Sequence, residues 1–318
     1  MTLVSERTRE HVRRSVTSTS VDAKGIAFKY VLLSTLLITL LILAVLLIDV
    51  VSSGVDVLTG DLRGFLQGTL RSRSEDPLIG VHQGLYGSLW IAVFVAVLAF
   101  PIGIAAAIYL DEYAPRNKFT AFLELAIRNL AGVPSVVYGL LGLYLFVNDG
   151  WLSNNITGGR TTISAGLTLA ILVLPIVIIT SQEAFRSVPS GLKEGAYGVG
   201  STQWEMIRSQ MLPYAAPGIL TGTLLSMSRA IGEAAPLILI GAVSGGMTQN
   251  PGLLDVSALN DRFTAMPLVI TTWTQNAGRD AGFNTTAAAA IVVLLVVVLV
   301  LNMAAILLRN RFEARRTT

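Results

Sequence analysis

The sequence predicts an all-α membrane protein with six transmembrane helices, on three observations. Of 318 residues, 53% are hydrophobic and 14% charged, against about 25% charged in ordinary soluble chains. The apolar residues gather into six runs, each close to the roughly 20 residues that a bilayer core of about 30 Å requires of a helix. The first, second and last of these runs carry no polar stripe at the helical period, which a water-facing helix would need.

Residues 1–29 form a basic tail with Arg7, Arg9, Arg13, Arg14, Lys24 and Lys29. The first span follows at about 30–51, where Val31 to Ile48 is free of charge. It is longer than a signal-peptide core and no small-x-small cleavage pattern follows it, so a retained helix is expected. Further spans are expected at about 86–110, 126–147, 162–182, 216–241 and 285–308, and 309–318 is a second basic tail with Arg309, Arg311, Arg315 and Arg316. Lysine and arginine accumulate on the cytoplasmic side. Both termini are therefore expected there, in a multi-pass membrane protein. The link Asp111 to Glu124 and the segment 187–213 fall on the same side, and 52–84, 148–160 and 242–284 face outward. Arg63, Arg71 and Arg73 run against this rule in an outward loop, beside Asp56, Asp61, Glu75 and Asp76.

Several functions are disfavoured by what the chain lacks. It has no cysteine, and its two histidines, His11 and His82, fall in different compartments. Neither a thiolate centre nor a multi-histidine metal site is expected. No basic run is interleaved with aromatics, so the net charge of +3 reflects topology and no nucleic-acid partner is expected. No G-x-x-x-x-G-K-[ST] loop, G-x-S-x-G elbow or H-E-x-x-H pair occurs. The chain is read as a non-enzyme that binds no cofactor of its own.

One polar segment stands out between apolar runs, Ser187 to Pro213, with Lys193, Glu194, Glu205 and Arg208 among glycines. Ser187 is a candidate cap and Pro189 suits the first turn of a helix reaching about Tyr197. Gly198 and Gly200 permit a tight reversal. Thr202 and Glu205 have capping-box spacing and start a second helix through Trp204, Ile207 and Met211. Pro213 and Pro217 are expected to end it and open the fifth span. Such a knob either links two spans or receives force from a soluble partner.

Arg229 and Glu233 lie four residues apart near the middle of the fifth span. A charge at that depth costs roughly 2.5–3.5 kcal/mol on insertion scales. The two are a structural ion pair or face a cavity or partner. Pro101, Pro134, Pro175 and Pro236 each remove a backbone donor and can kink a span, and Pro236 is the best hinge candidate. Gly218 and Gly222 form G-x-x-x-G, which lets another helix approach closely. Tyr138 is a buried aromatic or a polar wall residue.

Glu194-Gly195-Ala196, Gly200 and Leu212-Pro213 resemble the E-A-A-x(3)-G-x(9)-I-x-L-P signature of permease subunits in bacterial ABC importers. Gly195 replaces an alanine and Gln210 the isoleucine. The resemblance implies the type I importer permease fold. It assigns Glu194, Gly195, Ala196, Gly200, Leu212 and Pro213 to a coupling region that docks on an ATPase. Asn129 to Leu143 and Ser228 to Leu237 are similar to segments of phosphate importer permeases. That likeness, covering about 84–308, implies inorganic phosphate as cargo, with Arg229 and Glu233 in the translocation path. It also implies a second homologous permease, two ATPase subunits holding ATP and Mg, an extracytoplasmic phosphate-binding protein, and a place in a bacterial or archaeal inner (cell) membrane. Molybdate or sulfate import, a secondary transporter and a phosphate-sensing membrane subunit are the alternatives.

Overall fold

The computed structural model describes residues 23–314 apart from 149, 244, 246, 248 and 249. The expectations placed on His11, the arginines at 7, 9, 13 and 14, and Arg315 and Arg316 lie outside the described residues. The chain divides after Asp49 into two units. In the first, residues 24–49 are helical and exposed, as suits an apolar helix with lipid around it. They belong to helix α1 (Ala23–Gln67), whose later part is interrupted by a non-helical Asp61.

The second unit begins at Val50. Its next rod runs His82–Tyr113, as α2 (His82–Phe94) and α3 (Phe100–Ile108) joined and extended by π-helical turns. Pro101 lacks an N–H and its ring crowds the carbonyl one turn back. The π-helical turn Val95–Ala99 accommodates that loss just before the proline. Helix α4 (Lys118–Ala131) starts at Asn117, whose side chain accepts from the Thr120 amide at 2.9 Å.

The predicted span at 126–147 is not one rod. Helix α5 (Ser135–Gly142) and the π turn after it turn by 100° from α4. Pro134 caps α5 in an extended conformation, which the proline ring favours over helix. The Tyr138 hydroxyl donates to the Leu130 carbonyl at 2.9 Å and fastens the bend. Tyr138 is thus a buried aromatic whose polar end is spent locally.

Helix α6 (Thr162–Arg186) is the axis of the unit, buried along most of its length with Pro175 inside it. Around it close two apolar cores, one with Ile91, Val95, Leu237 and Ile240, the other with Phe185, Met206, Ile207 and Met211. After the short α7 (Ser190–Gly198) and α8 (Gln203–Met206), α9 (Leu212–Gly232) returns along α6. A Cβ on Gly222 would lie 2.5 Å from the Thr180 hydroxyl, and one on Gly218 would lie 3.0 Å from the Ala184 Cβ. The G-x-x-x-G pair therefore receives α6, as its spacing predicts.

The predicted fifth span breaks as well. Glu233 has left the helix (φ −78°, ψ 118°), and α10 (Ala235–Ile240) begins two residues later. Pro236 sits in the first turn of α10, where its missing N–H goes unneeded. Helix α10 lies against α5 so closely that a Cβ on Gly139 would stand 2.6 Å from the Pro236 Cα. Helix α11 (Met266–Asn276) packs on the start of α12 (Gly282–Ala314), with Trp273 between Phe65 and Phe283 at ring distances of 6.2 and 6.3 Å.

Among the described residues four helices are long and apolar enough to cross a membrane, or five if the bent pair counts as one. Six were predicted. The difference lies in the fifth span, where prolines, glycines, hydroxyls and Arg229 dilute α9.

Candidate functional site: the 187–213 knob and the Arg229 face

The knob forms, with two corrections to its caps. Ser187 does not cap α7. It ends α6, its hydroxyl donating to the Ala184 carbonyl at 2.7 Å, and Pro189 holds the cap position. At the other end Pro213 does not stop the second helix, because α8 passes through a π-helical turn, Ile207–Met211, into α9. Pro213 occupies the first turn of α9, and Leu212 is partly buried beside it.

Between those ends the expected devices are present. The Thr202 hydroxyl accepts from the Glu205 amide at 3.3 Å, and the Glu205 carboxylate accepts from the Thr202 amide at 2.8 Å. The Thr202 amide and then its hydroxyl hold the Glu205 carboxyl below its ordinary range. Gly200 is left-handed at φ +86°, a conformation glycine enters without penalty. Its amide donates to the Tyr197 carbonyl at 2.9 Å, and Ser201 donates to Ala196 at 3.0 Å, closing α7.

The six signature residues share the knob but face different ways. Ala196 is buried beside Met206, Ile207 and Met211, so it holds the two short helices together. Glu194, Gly195, Gly200 and Pro213 are exposed. Open space surrounds the position a Cβ would take at Gly191, Gly195, Gly198 and Gly200. Next to these glycines lie Val199, 84% exposed, and Trp204, 55% exposed. This end is glycine-rich and uncovered by the rest of the chain, with Glu194 exposed beside Val199 and Trp204.

What anchors the knob was not read from the sequence. Lys193, one of the charges of the polar segment, bonds the Glu112 carboxylate. Gln203 donates to the Glu112 carbonyl at 2.7 Å. Arg186, at the end of α6, pairs with Asp111 at 3.3 Å and Glu124 at 3.4 Å. These charges follow an apolar span in sequence and look like ordinary flanking residues. Only the fold carries Lys193 across to Glu112.

Arg229 and Glu233 are brought together at 3.3 Å, although Glu233 reaches back from just beyond the helix end. The Arg229 side chain is 51% exposed and that of Glu233 18%. The buried side of α9 holds Gly222, Ser226 and Ala230, whereas Thr221, Leu225 and Arg229 lie on a side this chain leaves uncovered. The neighbouring Ser228 hydroxyl donates to Asn302 on α12 at 2.8 Å. The guanidinium therefore points away from the chain's own interior.

Residues 99–317 match the family of binding-protein-dependent transport system inner membrane components. The chain is 32% identical over 201 residues to the probable ABC transporter permease protein YqgI of Bacillus subtilis, covering 62% of this chain and 66% of that protein. It is 35% identical over 204 residues to the phosphate transport system permease protein PstA 1 of Mycobacterium tuberculosis, covering 64% and 62%. It thus spans just under two thirds of the length of these two relatives. Among solved structures, a bacterial ABC transporter that imports alginate shares 16% identity at a TM-score of 0.56, over 91% of this chain and 98% of that one. The MetNI methionine ABC transporter, inward facing, shares 15% at 0.52, over 72% and 94%. At such identities the likeness is one of fold.

Proposed function

The chain belongs to the family of binding-protein-dependent transport system inner membrane components, and on that premise we propose that it is one permease subunit of an ATP-driven phosphate importer. An external binding protein delivers the ion, a second homologous permease completes the route, and two ATPase subunits holding ATP and Mg supply the energy. The chain itself is a transport subunit and performs no catalysis.

The observation that carries this reading is the placement of Arg229. A guanidinium in an apolar helix, turned to a side its own chain leaves open, is costly against lipid. Against a second permease it lines a shared route, where its planar donor fork grips two oxyanion oxygens. Glu233 at 3.3 Å cancels its charge, so the site alone makes no deep anion well. Phosphate carries between one and two negative charges near neutral pH, so a further cation from the partner is required. Weak net attraction also favours release of the ion.

The knob supports the same reading from the other end. Nucleotide-driven closure of the ATPases presses on the glycine-rich end of α7, and the Lys193–Glu112 and Arg186 pairs carry the displacement into α3, α4 and α6. Names of relatives supply the cargo: PstA 1 of M. tuberculosis is a phosphate transport system permease.

The test is uptake of labelled phosphate into liposomes by the reconstituted complex, with ATP enclosed and molybdate and sulfate as competitors. Arg229→Gln is expected to abolish uptake and leave assembly intact. A variant that no longer assembles would instead make the pair a structural lock. Uptake that persists without ATP would remove the ATP-driven reading.

A further inference from the structure

Arg63, Arg71 and Arg73 run against the charge bias that sets topology; the expected loop at 52–84 is in fact helical through Gln67, and the structure gives Arg71, beyond that helix, a setting. At the end of the bundle away from the knob, a cavity of about 1110 Å³ opens between residues 69–72, the last turns of α11 and the start of α12. Its wall includes Arg71, Ser72, Thr272, Gln275, Asn276 and Arg279.

The acid in the wall is already committed. Asp280 accepts from the Ser74 amide at 2.9 Å, the Ser74 hydroxyl at 2.7 Å and the Gly282 amide at 3.1 Å. The Ser74 hydroxyl first, then the backbone amides, hold its carboxyl below the usual range, so it stays anionic while its lone pairs face the loop. Arg71 pairs with Asp76 at 3.7 Å, with both side chains about a third exposed. Such a pair is worth little and exchanges readily. Arg279 forms no ion pair among the described residues. Arg71 and Arg279 thus line one open cavity together with Ser72, Thr272, Gln275 and Asn276, and among the described residues Asp280 is hydrogen-bonded to the loop and Asp76 holds Arg71 only loosely.

We infer that this cavity is a binding site for a tetrahedral oxyanion of the phosphate type, held by Arg279 and Arg71 with Asn276, Gln275 and Thr272 as neutral donors. It deepens the importer reading and rests on it: the ion is held at the outer mouth before it reaches Arg229. Arg71 and Arg279 balance Asp76 and Asp280, so binding is weak, in a range of roughly millimolar. A collecting site needs no more, because tight retention would slow passage.

The same chemistry resides in a phospholipid headgroup, and the test separates the two sources. The chain with its co-purifying subunits is placed in phosphatidylcholine nanodiscs without the external binding protein, and labelled inorganic phosphate is titrated. Saturable binding is expected, with sulfate competing. Arg279→Gln should weaken it by roughly tenfold, while Arg279→Lys, which keeps the charge and loses the fork, should fall between. Binding that is unchanged in both Arg279→Gln and Arg71→Gln overturns the site. Loss in Arg279→Gln with retention in Arg229→Gln places the bound ion here. Nanodiscs containing phosphatidylglycerol supply the lipid arm: inorganic phosphate binding that vanishes in them would overturn a free-ion site. If the cargo reading fails, phosphate uptake is absent while Arg279-dependent binding persists, so the two failures are distinguishable.

Discussion

At Gly200 the backbone turns left-handed, yet open space lies where a side chain would begin. The objection to any other residue there is conformational, not steric. Gly200→Ala is expected to lower stability by roughly 1–2 kcal/mol through its backbone alone. Gly195 is the opposite case: it lies inside α7 at an ordinary helical position with nothing near its missing side chain. Gly195→Ala restores the alanine of the family signature and should raise stability by up to about 1 kcal/mol. Thermal midpoints of the two purified variants against the wild type check both signs. A stable Gly200→Ala protein would show that the turn closes α7 in some other way.

The short helices α7 and α8 owe their position to residues far off in the chain. Lys193 bonds Glu112 across 81 positions, and Gln203 reaches the main chain of the same residue. Lys193→Met is expected to remove roughly 1 kcal/mol of local anchoring. If the knob receives force as proposed, phosphate moved per ATP hydrolysed should then fall while hydrolysis continues. An unchanged ratio would mean that the apolar packing beneath Ala196 transmits force by itself. The local devices here were legible in the sequence: Thr202 and Glu205 by their spacing, Gly200 by its type, Gly218 and Gly222 by theirs. Each depends on neighbours within a turn or on a close helix approach. Pro134 and Pro236 were marked by type as places where a span could kink, and both lie at or beside a break; what was not legible is that the spans end there as separate helices. Hydropathy reads through Pro134 and through Glu233, because a break of two or three residues hardly alters a twenty-residue average. The Glu112 anchor stayed hidden for the same reason that any pairing across 81 positions does: no local pattern marks it.

As a whole the second unit is closed around α6 and open along one side of α9. Leu225 on that side is 72% exposed and lies one turn from Arg229. A partner helix there would bury both, so Leu225→Cys is expected to form a disulfide with a cysteine placed on the facing permease. Failure to crosslink, with labelling by a lipid-soluble reagent instead, would put this side in the acyl chains. The two broken spans also meet, α5 against α10 at Gly139 and Pro236. With backbone pressed on backbone, neither segment has room to spin about its own axis. A side chain at position 139 would have to push the two helices apart, so this contact exists only because the residue there is glycine.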